Sequence, residues 1–574
     1  MQKIWRPRAA SIENNFSVNS DLLRQLLVLR GLTAAAEIDH FLTPDYERDL
    51  HDPFLMLDME RAGERILRAV SAGEKIAIFA DYDADGVPGA AILVAFFRQI
   101  GFSNFTVYIP DRHEESYGLN NQALETLAAS GAKLIITVDC GITDVTAVEE
   151  ANRLEMDVII TDHHLVPEVL PPAYAIINPK RLNDQYPYKM LSGAGVAFKL
   201  VQALLRSVLK DAPRTDFVIG WEKWLLDLVA IATVSDMVPL TGENRALVYF
   251  GLKVLRRTPR LGLRRLFARL NLTAEFITED DISFLIGPRL NSASRMSHGH
   301  EAYALLTAAD EVEADRLARH LEEKNNERRA SVAAILETVR SDSAAVLGAV
   351  FVAGSPSWSL GVLGLAASRL AEQYRRPIFL WSRNGRGEIK GSCRSDGTVN
   401  IVELMKLAQG AAGDLFINYG GHAAAGGFSL APERLSELAP RLAEAYSSLE
   451  KLIVSGDQLF DLELPLTVIS DTTYSLLEQL APFGPENHKP IFFFSRLPLL
   501  SRRTFGRGAS HLEMIFEHPD LGQIKAVQFF TSPKGEAFRR GGRPRLDILA
   551  TLEKSYYRGR SELRLRIVDW RESV

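Results

Sequence analysis

The sequence predicts a multidomain α/β protein organised around a parallel β-sheet. Three observations carry this. Short Val- and Ile-rich runs alternate with helical periods between residues 75 and 177. The chain has 574 residues, more than one compact core accommodates. From Asp461 onward the pattern changes to short alternating segments set off by Gly, Pro and Ser.

In order along the chain, residues 1–70 read as a mostly helical N-terminal region. The apolar runs at 75–80, 105–109, 133–138, 157–160 and 174–177 predict strands, and 90–100, 121–130 and 144–154 predict the helices between them. Strands of this composition alternating with helices predict a parallel sheet covered on both faces, assigned to a domain over 71–240. A mainly helical stretch covers about 193–272, and the charged run 310–340, free of Gly and Pro, predicts a long connecting helix that closes a helical region over 241–344. A second α/β unit over 345–450 has predicted strands at 349–353 and 378–381. The segments 490–494, 512–516, 525–529, 545–552 and 562–568 predict a small β-barrel within 455–574.

Composition bounds the function. Hydrophobic residues make up 47% and charged residues 24%, which excludes a disordered chain, a collagen-like fibre and a disulfide scaffold. The most apolar helix, 221–240, is interrupted by Glu222, Lys223, Asp227 and Asp236, so no membrane span is expected. Residues 1–8 lack an apolar signal core, and the two cysteines, Cys140 and Cys393, fit a reducing compartment; a cytoplasmic location is expected. Net charge is −6, but residues 496–574 hold 16 basic against 9 acidic residues, and 251–270 holds seven basic residues and no acid. Local sign matters more than the total for a polyanionic partner.

Three predicted strands end in acids: Asp81-Tyr82-Asp83-Ala84-Asp85-Gly86, Val138-Asp139-Cys140-Gly141 and Thr161-Asp162-His163-His164. The carboxyl ends of parallel strands form the ligand crevice, so these blocks should converge. Carboxylates with imidazole suit Mn²⁺ or Mg²⁺ rather than a thiolate metal, and the number of candidate ligands is too large for one ion and enough for two. Asp81-x-Asp83-x-Asp85-Gly86 is not an EF-hand loop, because its twelfth position is Ile92 rather than Glu. Asp236, in Ser235-Asp236-Met237-Val238-Pro239-Leu240, is either a further ligand or a helix terminus. Gly391-Ser392-Cys393-Arg394-Ser395 offers backbone donors, two hydroxyls and a guanidinium to a phosphate; Gly420-Gly421-His422 permits close approach with an imidazole donor. Arg112, after the second strand, and Arg289 add guanidinium groups, each of which could instead be a structural ion pair. Basic residues beside aromatics, in Arg539-Arg540-Gly541-Gly542-Arg543-Pro544-Arg545 and Tyr556-Tyr557-Arg558-Gly559-Arg560, suit a single-stranded nucleic acid.

The four acid blocks resemble the motifs of the DHH phosphoesterase family. Ile286-Gly287-Pro288-Arg289-Leu290-Asn291, Lys390-Gly391-Ser392-Cys393-Arg394-Ser395, Tyr419-Gly420-Gly421-His422 and Ala481-Pro482-Phe483-Gly484-Pro485-Glu486-Asn487 resemble its bacterial RecJ single-strand exonucleases, in order, from about residue 50 to the end. The resemblance implies a DHH domain, a DHHA1 domain and an OB-like barrel. It implies 5′-to-3′ hydrolysis of single-stranded DNA to 5′-mononucleotides with two Mn²⁺ or Mg²⁺ ions, in DNA repair and recombination. Single-strand-binding protein and a RecQ-type helicase are the implied partners. Asp81, Asp83, Asp85, Asp139, His163 and Asp236 carry over as metal-site residues, with Asp139 as the expected bridge. Asp162 is expected to orient its neighbours and His164 to face the substrate and its leaving oxygen. Arg112, Arg289, Ser392, Arg394, Ser395 and His422 are the expected substrate contacts. The chain departs from the family at Pro88, Ser359, Asn291-Ser292-Ala293-Ser294-Arg295 and Gly420–Gly427; Ser359 replaces a histidine. The alternatives are a phosphodiesterase for short oligonucleotides or cyclic dinucleotides, which needs no basic barrel, and a non-catalytic replication scaffold, which would not keep the acids.

Overall fold

The computed structural model describes residues 4–8, 20–115, 117–211, 220–341, 348–385, 387–410, 413–452, 457–506, 510–529, 544–557 and 560–573. Packing separates the chain into two units. One comprises Asp52–Asp236 and Gly251–Ser455; the other comprises Met1–His51, Met237–Phe250 and Gly456–Val574.

The first unit opens with a five-stranded parallel sheet in the order Phe105–Tyr108, Lys75–Ala80, Ala132–Val138, Asp157–Thr161, Ala175–Ile177. Period-2 alternation divides each strand between two faces. Ala77, Phe79, Ile135, Val158 and Ile160 join a core with Leu124 and Leu127 of the helix Asn121–Ala129 and Val148 of the helix Val145–Arg153. The helices Met59–Ala72, Gly86–Gln99 and Gly193–Asp211 also pack on this sheet. With both faces covered, the strands read as continuous apolar runs, which is why they stood out in the sequence. The chain leaves Lys75–Ala80 toward one edge and returns to the other side at Ala132–Val138. That reversal is a topological switch point, where an open α/β sheet leaves a crevice.

After a set of helices, the 31-residue helix Glu311–Ser341 runs for roughly 46 Å at the usual α-helical rise. It leads to a second, mixed sheet in the order Asn418–His422, Ala425–Leu430, Ile389–Arg394, Ile378–Arg383, Phe351–Gly354. Only the last two are parallel to each other. The sequence pattern predicts two of these five strands, Phe351–Gly354 and Ile378–Arg383. The other three contain Gly391, Gly420, Gly421, Gly426 and Gly427, which have weak strand propensity. At Gly391 the glycine is required by packing, since a Cβ there would lie 2.0 Å from the Phe428 ring.

The second unit contains a closed five-stranded barrel. Phe492–Phe505, His511–His518, Gly522–Gln528, Arg560–Glu572 and Arg545–Tyr557 pair in that order, and Phe492–Phe505 also pairs with Arg545–Tyr557 to close it. Its core includes Phe492, Phe494, Met514, Phe516, Ile548 and Leu565. The expected boundaries need correction here. Leu22, Leu26 and Leu27 of the helix Ser20–Val28 lie in that same core, and Trp5–Pro7 pairs in parallel with Gln458–Phe460. Arg245 donates to the carbonyls of Phe41 (3.0 Å) and Leu480 (2.9 Å). The barrel is therefore built with the beginning of the chain rather than from 455–574 alone, and the region 1–70 divides, because the helix Met59–Ala72 packs with the first sheet. No helix among the described residues is long and apolar enough to cross a membrane.

Candidate active site

Three acids step across the carboxyl edge of the parallel sheet. Each continues the hydrogen-bond ladder by one rung: Asp81 N–H donates to Val138 O (3.1 Å), Asp139 N–H to Thr161 O (2.9 Å) and Asp162 N–H to Ile177 O (3.1 Å). Register therefore fixes their side-by-side placement. Asp139 adopts a left-handed backbone, φ 64°, unusual for a residue with a side chain and a form of strain that clusters at functional sites. The chain opposite is Gly193, where a Cβ would lie 2.5 Å from that of Asp139.

The Asp81–Gly86 loop is held from three directions. Asp83 accepts from the amides of Asp85 (2.8 Å) and Gly86 (3.2 Å), just ahead of the helix Gly86–Gln99. Asp85 accepts from Gly193 N (2.6 Å) and Ala194 N (2.7 Å), at the positive end of the helix Gly193–Asp211. Asn291 accepts from Ala84 N at 3.0 Å. Asp162 is fully engaged elsewhere: it accepts from the amides of Ile142, His163 and His164 and lies 2.8 Å from His164 Nδ1.

His163 stands at the centre of the cluster. Its Nε2 is 3.1 Å from Asp139 Oδ1 and 3.7 Å from both Asp85 Oδ2 and Asp236 Oδ2. The 3.1 Å approach lacks hydrogen-bond geometry: Asp139 Oδ1, Asp81 Oδ1 and both His163 ring nitrogens are buried without a hydrogen-bond partner. Potential ligand atoms converge in three groups: Asp81, Asp83 and Asp139; Asp85, His163 and Asp236; and Asp139, His163 and His164. All six expected metal-site residues are thus brought together.

The buried carboxylates of this site repel one another. Burial, then repulsion from neighbouring carboxylates, raises Asp81 and Asp139 well above the usual carboxylate range. Burial and Asp83 push Asp85 up to about 7, and burial with Asp85 and Asp83 pushes Asp236 up to about 8. Burial lowers His163 to about 4, leaving a neutral imidazole suited to ligation. His164 behaves oppositely: burial opposes its charge, but the hydrogen bond and charge of Asp162 raise it to about 9. Burial also opposes ionisation of Asp162, but its bonds from His164 and the amides keep it below its ordinary value.

Two further residues at the site carry no sequence signal of their own. Tyr117 donates to Asp139 O (3.0 Å) and its hydroxyl is 3.5 Å from His164 Nδ1; a lone tyrosine in a loop carried no motif. Arg295 is lowered to about 9 by burial and then by the like charges of Arg112 and Arg328, with Asp83 opposing. Arg112 lies over the Tyr82 ring at 4.9 Å. Arg394 has Arg112 as a charged neighbour and donates to Ser392 Oγ (3.1 Å) and Cys393 O (2.7 Å).

Other expected contacts are placed differently. Arg289 forks onto Glu322 of the long helix (2.8 and 3.3 Å) and donates to Leu285 O (3.1 Å), the structural ion pair left open as its alternative. Ser395 Oγ donates to Val399 O (2.6 Å) and accepts from Gly397 N (3.0 Å), so it stabilises its own turn. His422 is exposed; it pairs with Ala425, which pairs with Arg394, so His422 and Arg394 share a face two strands apart, roughly 10 Å. Arg539, Arg540, Arg543, Arg558 and Gly559 lie outside the described residues. On the barrel, Phe529 is flanked by the rings of His511 (5.3 Å) and Phe505 (6.5 Å), and by the guanidiniums of Arg564 (5.7 Å) and Arg566 (5.6 Å).

Three segments match family models. Residues 75–233 match the DHH family N-terminal domain, 345–448 the DHHA1 domain and 460–569 the RecJ OB domain; the fold and its acid-lined switch point are those of the DHH class. The single-stranded-DNA-specific exonuclease RecJ of Bacillus subtilis is 34% identical over 96% of this chain and 67% of its own length. That of Escherichia coli is 33% identical over 86% of each. The crystal structure of RecJ from Thermus thermophilus in complex with Mn²⁺ superposes with a TM-score of 0.77 at 27% identity, covering 96% of this chain and 76% of that one. This chain belongs to the RecJ family of single-stranded-DNA-specific exonucleases.

Proposed function

We propose that the chain is a divalent-cation-dependent exonuclease that degrades single-stranded DNA from the 5′ end, releasing 5′-mononucleotides, in DNA repair and recombination. The observation that carries this is the convergence of five aspartates and one neutral histidine on one crevice, with buried oxygen and nitrogen atoms left unpartnered. Oxygen donors with a single imidazole fit Mn²⁺ or Mg²⁺. Asp81, Asp83 and Asp139 would hold one ion, Asp85, His163 and Asp236 a second, with Asp139 and His163 where the two sets meet. When bound, such ions supply Lewis-acid neutralisation of the phosphate and an acidified water near neutral pH.

The chain's own groups do the rest. Arg112, whose charge acts on both Arg295 and Arg394, would with them supply positive charge to the terminal phosphate, with Ser392 beside Arg394. His164 is the group to stabilise the leaving 3′-oxygen, and the hydrogen bond and charge of Asp162 hold its ring and favour its protonated form. Tyr117 holds the Asp139 carbonyl. The Phe529 cluster on the barrel suits base stacking beside a charged backbone. Residues 71–236, 345–450 and 455–574 serve as the DHH, DHHA1 and OB-like nucleic-acid-binding parts, with 1–51 and 237–250, including the last four residues of the expected 71–240, completing the last. Two unpaired, buried cysteines favour the cytoplasm, and single-strand-binding protein and a RecQ-type helicase are the partners this reaction calls for.

Digestion of 5′- and 3′-labelled single strands, duplex DNA and short RNA with Mn²⁺, Mg²⁺ or EDTA tests the proposal. Early release of the 5′ label, dependent on the cation and confined to single strands, is expected. Release from the 3′ end first, or activity that survives EDTA, would overturn it.

A further inference from the structure

The guanidinium of Arg394 is held by neutral oxygens from two elements. From its own strand, Ser392 Oγ and Cys393 O accept from Nη1. From the helix Leu360–Tyr374, Ser368 Oγ accepts from Nε at 3.2 Å. The Ser368 hydroxyl donates in turn to Gly364 O at 3.0 Å. Its hydrogen is thereby committed to the helix and a lone pair stays aimed at Arg394. One turn back, Gly364 leaves the gap into which the guanidinium fits: a Cβ there would lie 2.7 Å from Arg394 Nη2 and 3.1 Å from Ser392 Oγ. Gly364 sits inside a helix without a positive φ, so its backbone does not call for glycine, and mid-helix glycine is intrinsically less favourable than alanine. The packing of Arg394 supplies the reason for it. No carboxylate among the described residues forms an ion pair with Arg394. Its charge is oriented without being neutralised, as an anion site requires.

We infer that Gly364 and Ser368 are positioning residues for Arg394 and thereby set the preference for a 5′-phosphorylated end. This rests on the reading of Arg394 as a contact of the terminal phosphate. Ser368 fixes the rotation of the guanidinium about Nε, and the bare helix surface at Gly364 lets its plane lie flat, with Nη2 left to donate. A methyl group at 364 displaces the flexible end of Arg394 rather than the helix, so the damage falls on phosphate recognition and not on the fold.

The test compares kcat/KM on 5′-phosphorylated and 5′-hydroxyl single strands for the full-length wild type, Arg394→Ala, Gly364→Ala, Ser368→Ala and Ser368→Thr. Arg394→Ala should bring the ratio of the two strands close to one. Gly364→Ala and Ser368→Ala should each lower the ratio by about tenfold, the size of one charge-assisted hydrogen bond. The loss should fall on KM for the phosphorylated strand, and Ser368→Thr, which keeps the hydroxyl, should restore the ratio. The melting temperature of Gly364→Ala should equal or exceed that of the wild type; if it falls, Ser368→Ala carries the test. If Arg394→Ala leaves the ratio unchanged, the phosphate reading of Arg394 itself is wrong. If Arg394→Ala lowers the ratio but Ser368→Ala leaves it unchanged, or weakens both strands equally, the positioning role is overturned.

Discussion

Asp139 combines a left-handed backbone, a buried oxygen without a partner and a neighbouring imidazole at 3.1 Å. Asp139→Ala should reduce hydrolysis at least about a hundredfold, because Asp139 belongs to two of the candidate ligand groups and losing a ligand shared by two ions would remove roughly 3 kcal/mol or more of charge stabilisation. A folded variant that retains more than about a tenth of the wild-type rate would sink the bridging role. The same cluster predicts a pH dependence. Asp236 ionises near pH 3.8 in an unfolded chain but near 8 in the folded protein, so between those values the folded state holds protons the unfolded state has released. Without divalent cation, folding stability from this site therefore declines as pH rises through that window. Asp236→Asn cannot ionise, so from about pH 6 to 8.5 the melting temperature of the wild type should fall relative to that variant. Saturating Mn²⁺ should abolish the difference; parallel curves without cation would refute the raised pKa. At this scale the candidate ligands at the sheet edge are legible because three strands end in acids, whereas Asp236, which ends the helix Leu226–Ser235, stays open between ligand and helix terminus. Arg295 and Tyr117 are not legible, since their neighbours are distant in sequence, and Arg289 carried the right chemistry but found Glu322 first.

The first part of the helix Glu311–Ser341 is fastened by the ion pairs Arg265–Glu311, Arg269–Asp315 and Arg289–Glu322. The last of these is the most enclosed, with side-chain exposures of 10% and 30%. Arg289→Met should lower unfolding stability by about 1–3 kcal/mol, a buried-pair loss discounted for the solvent that reaches Glu322. Denaturant titration measures this, and discrimination between 5′-phosphorylated and 5′-hydroxyl strands should not change. Altered discrimination with unchanged stability would return Arg289 to the substrate site. Among the elements, the parallel strands were readable because burial on both faces demands unbroken Val and Ile. The second sheet was half readable, because glycines chosen for close approach, as at Gly391 under Phe428, erase the strand signal.

At the scale of the whole chain, the barrel unit is assembled from three separate segments. No local pattern could show this, since Leu26 and Phe494 share a core across most of the sequence. A chain ending near residue 450 should therefore aggregate, because Leu22, Leu26 and Leu27 lose their cover. Removing residues 1–51 as well should relieve that aggregation, and light scattering of the two truncations makes the comparison. Equal solubility would show that the N-terminal helix is dispensable to the barrel.

The parallel pairing of Trp5–Pro7 with Gln458–Phe460 and the insertion of Ser20–Val28 into the barrel core have a consequence for biosynthesis. The helix Ser20–Val28 is translated roughly 450 residues before the barrel strands whose core it shares. At elongation speeds of about 5–20 residues per second that separation lasts roughly 20–100 s, while the intervening sheet folds. Throughout that interval an amphipathic segment with three buried leucines stands uncovered on the nascent chain. Slowed translation or depletion of chaperones that hold nascent chains should therefore harm this protein more than one whose barrel is contiguous in sequence.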